Sequence, residues 1–418
     1  RHPHTRSSAA SDVYKRQVII IGGGPTGLMA AYLLSQKKFD VTLYDRKPTF
    51  GRKFLLAGRG GLNITHSECR EKFLEKYGNS AKIFEPILNN FSQNKLMNFC
   101  EMLGEKTFIG SSGRVFPKSF KTSPLLRSWL SKLKNQDVKM ITNHDWVGWE
   151  DNKLIFKTGI KRIVVDADIT ILALGGLSWP KLGSDGSWIK ILEKNNIEVS
   201  KIQPANCGFF VKWSNIFKNR FAGFPLKAVE LSFKNKKIKG EFIITKEGIE
   251  GGIIYSFSSI LRDSINEMGS TEITIDLKPD FTIEKIKELL LKPRLKLTIT
   301  NYLRKTLKLS EVAIGLLMEL KNKEGTNNHQ MSNLAYMIKN YKITLDKPFS
   351  IERCISTSGG ISFNSINEDF MLVNKPNTYV AGEMLDWEAP TGGYLLQACI
   401  SNGAFVANNI INKKRQNK

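Results

Sequence analysis

The sequence predicts an α/β fold. One parallel-sheet domain is assembled from both ends of the chain and is interrupted by a β-rich insertion and a small helical domain. Three observations carry that expectation. Residues 18–27 (VIIIGGGPTG) set a short apolar run directly before a glycine-rich turn. Residues 379–397 hold a second strand-and-turn, YVAG, with PTGGYLLQ after it. Between them the pattern changes period, from short β-rich runs over 201–277 to helical spacing over 283–341.

Composition bounds the rest. At roughly 100–200 residues per domain, 418 residues suggest two or three domains. With 41% apolar and 24% charged residues, the chain is not mainly disordered, collagen-like or membrane-embedded. The longest apolar stretch, 18–34, is broken by Gly22, Gly23, Gly24, Pro25 and Gly27. The cysteines Cys69, Cys100, Cys207, Cys354 and Cys399 are scattered, with no CxxC spacing. Neither a metal site nor a disulfide framework is expected, no membrane partner is expected, and a cytoplasmic setting is. The net charge of +23 suggests a polyanionic partner such as RNA. A lysine-heavy compositional bias is the competing reading. Residues 1–17 (RHPHTRSSAASDVYKRQ) resemble translated adaptor sequence and are set aside as a non-native or disordered tail. Residues 413–418 read as a frayed basic tail.

The N-terminal elements justify themselves in order. Residues 18–21 suit a buried parallel strand. Gly22, Gly24 and Gly27 then form G-x-G-x-x-G, with Thr26 inside it, ahead of a helical stretch over 28–37. Gly22 permits the tight turn, Gly24 lets backbone approach a pyrophosphate, and Gly27 lets the helix pack on the strand. The helix start offers unbonded N–H groups and a positive dipole end to phosphate. A second strand, 41–45, ends in Asp45, which can accept from an adenosine ribose. Lys38 stands near the helix end, where glycine would cap better.

Directly after this strand, residues 46–66 read RKPTFGRKFLLAGRGGLNITH. This stretch resembles the "GRK-x-x-x-(S/A)-G-(G/R)-G-x-x-N-x-T" segment of the BaiN/RdsA-type (YhiN-like, aminoacetone-oxidase-family) NAD(P)/FAD-dependent oxidoreductases. The resemblance continues through Gly175 and Gly176 after the 168–174 strand, the loop 179–186 and the 248–252 stretch. It ends in AGEMLD over 381–386 and PTGGYLLQ over 390–397, with Leu395 where the wider family usually has Asn. The form AGRGGLNITH is most similar to an uncharacterised flavoprotein sub-branch.

The resemblance implies a discontinuous Rossmann-like FAD-binding domain with an inserted β-rich domain and a small helical domain. The FAD-binding parts are 18–195 and 359–412, the β-rich domain 196–278 with a return over 341–358, and the helical basic subdomain 279–340. Candidate cofactor residues are Gly22, Gly24, Thr26, Gly27, Asp45, Arg46, Arg52, Lys53, Arg59, Gly60, Asn63, Gly175, Glu383, Gly392, Gly393, Tyr394 and Leu395. Arg46, Arg52 and Arg59 are candidates to neutralise pyrophosphate or flavin charge; solvated loop arginines are the alternative. Glu383 can bond a ribityl or ribose hydroxyl, and the helix start after Gly393 can face the flavin N1/C2 edge.

Reducing an activated C=C bond needs hydride from the flavin and a proton on the other carbon. His66 and Cys399 are the candidate donors, with Cys207 behind them; packing roles compete for all three. No second GxGxxG occurs, so NAD(P)H would visit the flavin cleft transiently. Residues 285–308 carry eight cations against Glu288 alone, and Lys285, Lys292, Arg294, Lys296, Arg304 and Lys305 are candidate RNA contacts. A solvated helix face is the bland alternative. Three readings compete. They are a flavoenzyme reducing uridine in ribosomal RNA to dihydrouridine, a reductase or oxidase of a small enone or amine, and a non-catalytic flavin-binding RNA or assembly factor. Oligomeric state is left open.

Overall fold

The computed structural model describes residues 16–58, 60–324 and 331–416. Arg59 and residues 1–15 of the expected tail lie outside the described residues. Two compact units result, one of residues up to 176, 180–201 and 359 onward, the other of residues 177–179 and 202–358.

The larger unit is built on a five-stranded parallel sheet. Its central strand, β1 (Gln17–Ile21), lies between Ile169–Leu172 and β2 (Asp40–Tyr44). Thr378–Val380 and Lys139–Ile141 form its edges. Residues 18–21 are almost wholly buried, as a strand covered on both faces requires. β1 begins at Gln17, inside the stretch expected to be a tail. The reason is bonding: the Gln17 N–H donates to Asp168 Oδ2 at 2.7 Å, and the Asp40 N–H donates to the Arg16 carbonyl at 3.1 Å.

α1 (Pro25–Ser35) comes after the glycine turn, with Pro25 in the first-turn position where its missing N–H costs nothing. The chain leaves α1 through Lys38 at φ +59°, the left-handed conformation for which glycine is better suited. α1 packs against Thr122–Lys134 and against the C-terminal helix Tyr394–Gln416. That last helix runs past 412 rather than fraying there. Lys413 Nζ pairs with Asp369 at 2.5 Å, which holds the extra turn. Two three-stranded antiparallel sheets complete the unit. Thr65–His66, Arg114–Pro117 and Thr107–Ile109 form one, and the meander Asp145–Glu150, Lys153–Thr158 and Lys161–Val165 forms the other.

The smaller unit holds a six-stranded antiparallel sheet. Its strand order is Phe209–Phe210, Gly248–Glu250, Lys236–Ile244, Pro225–Phe233, Thr271–Asp276 and Tyr341–Leu345. The sequence predicts only strands between 201 and 277, yet Gly252–Met268 is a helix of 17 residues. Its buried positions Ile253, Ile254, Phe257, Leu261 and Ile265 make a helical stripe against the sheet. A second helix there, Asn215–Phe221, is capped by Ser214, whose hydroxyl accepts from the Phe217 N–H. The helices Ile283–Leu290, Ile299–Leu307, Glu311–Glu324 and Met331–Lys339 come next, and all four share one hydrophobic core with the sheet.

Among the described residues, no helix is long and apolar enough to cross a membrane. Phe257 is fully buried in the smaller unit's core. Phe257→Ala is therefore expected to remove about 3–5 kcal/mol from that unit's denaturant unfolding. A loss below about 1 kcal/mol would show that the core collapses around the gap.

Candidate active site

The first turn of α1 is where the site begins. A β-carbon added at Gly27 would sit 2.0 Å from the Gly22 carbonyl oxygen, and one at Gly22 2.2 Å from the Ala173 carbonyl. Neither position has room for a side chain. Gly24 differs: nothing lies within 4 Å of its would-be β-carbon, and its φ of −82° is open to any residue. Gly24 thus faces open space at a helix N-terminus, where a phosphate is favoured by unbonded N–H groups.

Asp45, at the end of β2, faces that turn. Its Oδ2 accepts from the Gly23 N–H at 2.9 Å and its Oδ1 from the Lys47 N–H at 2.8 Å. Burial raises its pKa, against the pull of those bonds and of Arg46 and Arg52. A carboxylate has about four lone-pair sites, so it can still accept from a ribose hydroxyl.

Arg46 does something other than the sequence suggests. Its guanidinium meets Asp185 Oδ1 at 2.6 Å and Asp145 Oδ1 at 3.3 Å, and donates to Ser187 Oγ at 3.3 Å. It clamps the 183–187 loop beside β2 instead of standing open to pyrophosphate, because two acids satisfy its fork. Burial pushes the Asp185 carboxyl up, but Arg46 and Ser187 outweigh it and hold its pKa below the usual range. Gly175, at φ +74°, sits against this loop, where an added β-carbon would lie 2.8 Å from Ser184 Oγ.

α2 (Arg52–Ala57) opens the glycine-rich segment. Lys53 Nζ pairs with Glu383 Oε2 at 2.8 Å, and Glu383 is 7% exposed. This pair ties α2 to the C-terminal strand-end turn across 330 positions of sequence. Gly382 in that turn packs on Thr26, and its N–H donates to Asn402 Oδ1 at 2.7 Å. Sequence reasoning missed Asn402; nothing but its place on the last helix could have flagged it.

The glycines at 392 and 393 lead into the C-terminal helix. An added β-carbon at Gly393 would lie 2.6 Å from Thr65 Cα, so the Thr65 backbone abuts the helix start. His66 is next along the chain, stacked on Tyr394 at 5.5 Å between ring centroids. Its Nε2 is 2.9 Å from the Ser112 carbonyl, and its Nδ1 accepts from the Glu68 N–H at 3.2 Å. Those partners select the neutral tautomer with the proton on Nε2. Burial, and then the neighbouring Glu68 carboxylate, hold the Tyr394 phenol well above its ordinary pKa. Leu395 is half-buried in the helix's first turn, and Gly60 is exposed.

Cys399 is buried under the Glu383 turn. Burial, then Glu383, push its thiol up to about 12, so it stays protonated at neutral pH and is a weak acid. Cys207 lies in the smaller unit, fully buried, its N–H and Sγ both in contact with Ser258 Oγ. Both cysteines serve packing here. The six candidate RNA contacts also lie in the smaller unit, on or between Ile283–Leu290 and Ile299–Leu307.

Within the glycine-rich segment itself, three buried polar atoms have no hydrogen-bond partner among the described residues: Arg52 Nε, Asn63 Oδ1 and Thr65 Oγ1; Thr122 Oγ1, against Gly58, is a fourth beside it. Buried polar atoms are almost always paired. Together with the open space at Gly24 and the helix start at Tyr394, they fit a large polar ligand with a phosphate and a ring, as FAD is.

Gly24 and Gly27 make opposite tests. Gly24→Ala is expected to leave the melting temperature of the apoprotein within about 2 °C while abolishing the bound-flavin absorbance. Gly27→Ala is expected to lower apoprotein stability by at least about 2 kcal/mol, since its methyl meets backbone. Full flavin content in Gly24→Ala would show that no phosphate approaches there.

The family described as the HI0933-like protein Rossmann domain matches residues 16–409. The chain is 25% identical over 403 residues to a 3-dehydro-bile acid delta(4,6)-reductase of Clostridium scindens, covering 92% of this chain and 96% of that protein. It is 24% identical over 399 residues to a ribosomal RNA dihydrouridine synthase of Haemophilus influenzae, covering 91% and 94%. Among solved structures it is similar to a 3-ketosteroid-delta4-(5alpha)-dehydrogenase from Rhodococcus jostii. That likeness has 13% identity and a TM-score of 0.45, over 97% of this chain and 98% of the other. With the family match spanning nearly its whole length, the chain belongs to the HI0933-like Rossmann-domain family and is an FAD-dependent oxidoreductase.

Proposed function

We propose that this flavoprotein reduces a C=C bond activated by a neighbouring carbonyl, with NAD(P)H as transient electron donor and uridine in ribosomal RNA as substrate. Two relatives support the bond type. A delta(4,6)-reductase and a dihydrouridine synthase are both named for saturating a ring C=C bond. The observation that carries the RNA substrate is charge. Lys285, Lys292, Arg294, Lys296, Arg304 and Lys305 are all exposed on two successive helices and the turn between them, in a chain with net charge +23.

FAD supplies the two-electron reduction when bound. The chain's own residues do the rest. The start of α1 and Gly24 would hold the pyrophosphate, Asp45 a ribose, and Arg52, Asn63 and Thr65 would complete their bonding on the cofactor. The Lys53–Glu383 pair fixes the C-terminal turn against α2, so the two ends of the chain keep one geometry. For the proton, His66 is better placed than Cys399. Its ring is partly exposed, so a proton relayed from solvent can reach it, whereas the Cys399 thiol is buried.

A second reading, reduction of a small apolar enone, is favoured by the match to the bile acid reductase over 92% of this chain. One experiment separates them. The protein is reduced anaerobically, and either unmodified large-subunit ribosomal RNA or a panel of neutral enones is added while the oxidised flavin band is followed. Reoxidation by RNA at least about tenfold faster than by any enone is expected, a rate gap of about 1.4 kcal/mol. Reoxidation by enones alone would establish the second reading.

A further inference from the structure

Residues 291–298 join the helices Ile283–Leu290 and Ile299–Leu307, and they carry two large apolar side chains in the open. Leu291 is 80% exposed and Leu295 is 83% exposed. Lys292, Arg294 and Lys296 alternate with them and are exposed as well. Lys285 pairs with Glu288 and Arg304 with Glu311. Lys292, Arg294 and Lys296 make no ion pair among the described residues.

The segment is held in shape. The Tyr302 hydroxyl, 1% exposed, lies 2.8 Å from both the Leu290 and the Lys292 carbonyl oxygens, and its one proton is shared between them. The Leu297 N–H donates to the Arg294 carbonyl at 3.2 Å, closing a turn. Leu295 sits inside that turn at φ +51°. This left-handed conformation suits glycine or asparagine and is unfavourable for a branched side chain. A leucine kept there, fully in solvent, packs no core; strain of this kind clusters where function imposes it.

We propose that the 291–297 turn is an RNA-contacting element, in which Lys292, Arg294 and Lys296 meet phosphates while Leu291 and Leu295 press on the faces of unstacked bases. The proposal rests on the RNA reading above and adds a contact that charge alone does not provide. Recognition of unpaired RNA combines cations that track the backbone with apolar surface against exposed bases. Two leucines present little area beside three unpaired cations, so the balance favours a polyanion with apolar bases over a bilayer interior.

The test uses the full chain with FAD and an unmodified large-subunit ribosomal RNA transcript, with Kd measured across a salt series. Leu291→Ser with Leu295→Ser is expected to weaken binding about tenfold with the salt slope unchanged. Lys292→Gln, Arg294→Gln and Lys296→Gln together are expected to flatten the slope by about 2–3. All five positions are exposed, so wild-type melting temperatures verify folding. If the wild type and the leucine variant bind RNA equally, the leucine contact is wrong and the RNA reading stands. If the wild type binds no RNA, both fall. Leucine-dependent binding to phosphatidylglycerol vesicles without RNA binding would also overturn the proposal, by assigning the turn to a membrane surface.

Discussion

The larger unit depends on how closely backbone can approach the first turn of α1. Three chain segments converge there. The end of β1 turns under it at Gly22, the C-terminal turn meets Thr26 at Gly382, and the last helix crosses at Gly403, where an added β-carbon would lie 2.3 Å from the Thr26 carbonyl. Close packing of this kind leaves no slack for side chains. It fixes the glycine turn, and with it the direction in which the α1 N–H groups point. The geometry of that helix start is thus set by steric contact before any charge acts.

Charge is then arranged around a frame already set. Glu383 is a buried acid, and burial of an unpaired carboxylate is costly. Lys53 offsets that cost from the opposite end of the chain at 2.8 Å. Burial, and then the same acid, raise the neighbouring Cys399 thiol, so it stays protonated beside that pair. Arg46 performs a parallel task at β2, joining Asp145 and Asp185. Two of the four cations named as cofactor candidates, Arg46 and Lys53, are taken up by protein acids. Arg52, whose Nε has no partner among the described residues, is the one beside Asp45 that retains bonding capacity.

Backbone requirements were the legible part of the sequence. Gly22, Gly24 and Gly27 could be assigned separate tasks from spacing alone, since each task follows from what a missing β-carbon permits. Lys38 is another case: its left-handed φ is where a glycine would be looked for. Side-chain partnerships were not legible. Asp145 lies 99 positions from Arg46, and no local pattern announces it. Asn402 is equally remote from Gly382 in chemistry, though only 20 residues on. The helix Gly252–Met268 escaped for a different reason. It opens on glycines and is rich in β-branched Ile, whose strand preference masked a 3.6-residue stripe of buried positions.

The two units divide the chemical work unevenly. Asp45, the Lys53–Glu383 pair and the orphaned atoms Arg52 Nε, Asn63 Oδ1 and Thr65 Oγ1 lie in the larger unit. The densest run of exposed cations lies in the smaller. A cofactor site is intolerant of change where its glycines abut backbone and its buried acids need their partners. An exposed cationic helix face carries no such penalty: surface substitutions away from special features change stability by only about 0.5 kcal/mol. Exposed residues of the smaller unit can therefore vary at little cost while the packed glycine turn of the larger one cannot. That separation explains why a glycine motif dictated by backbone contact is sharper in the sequence than a run of surface charge.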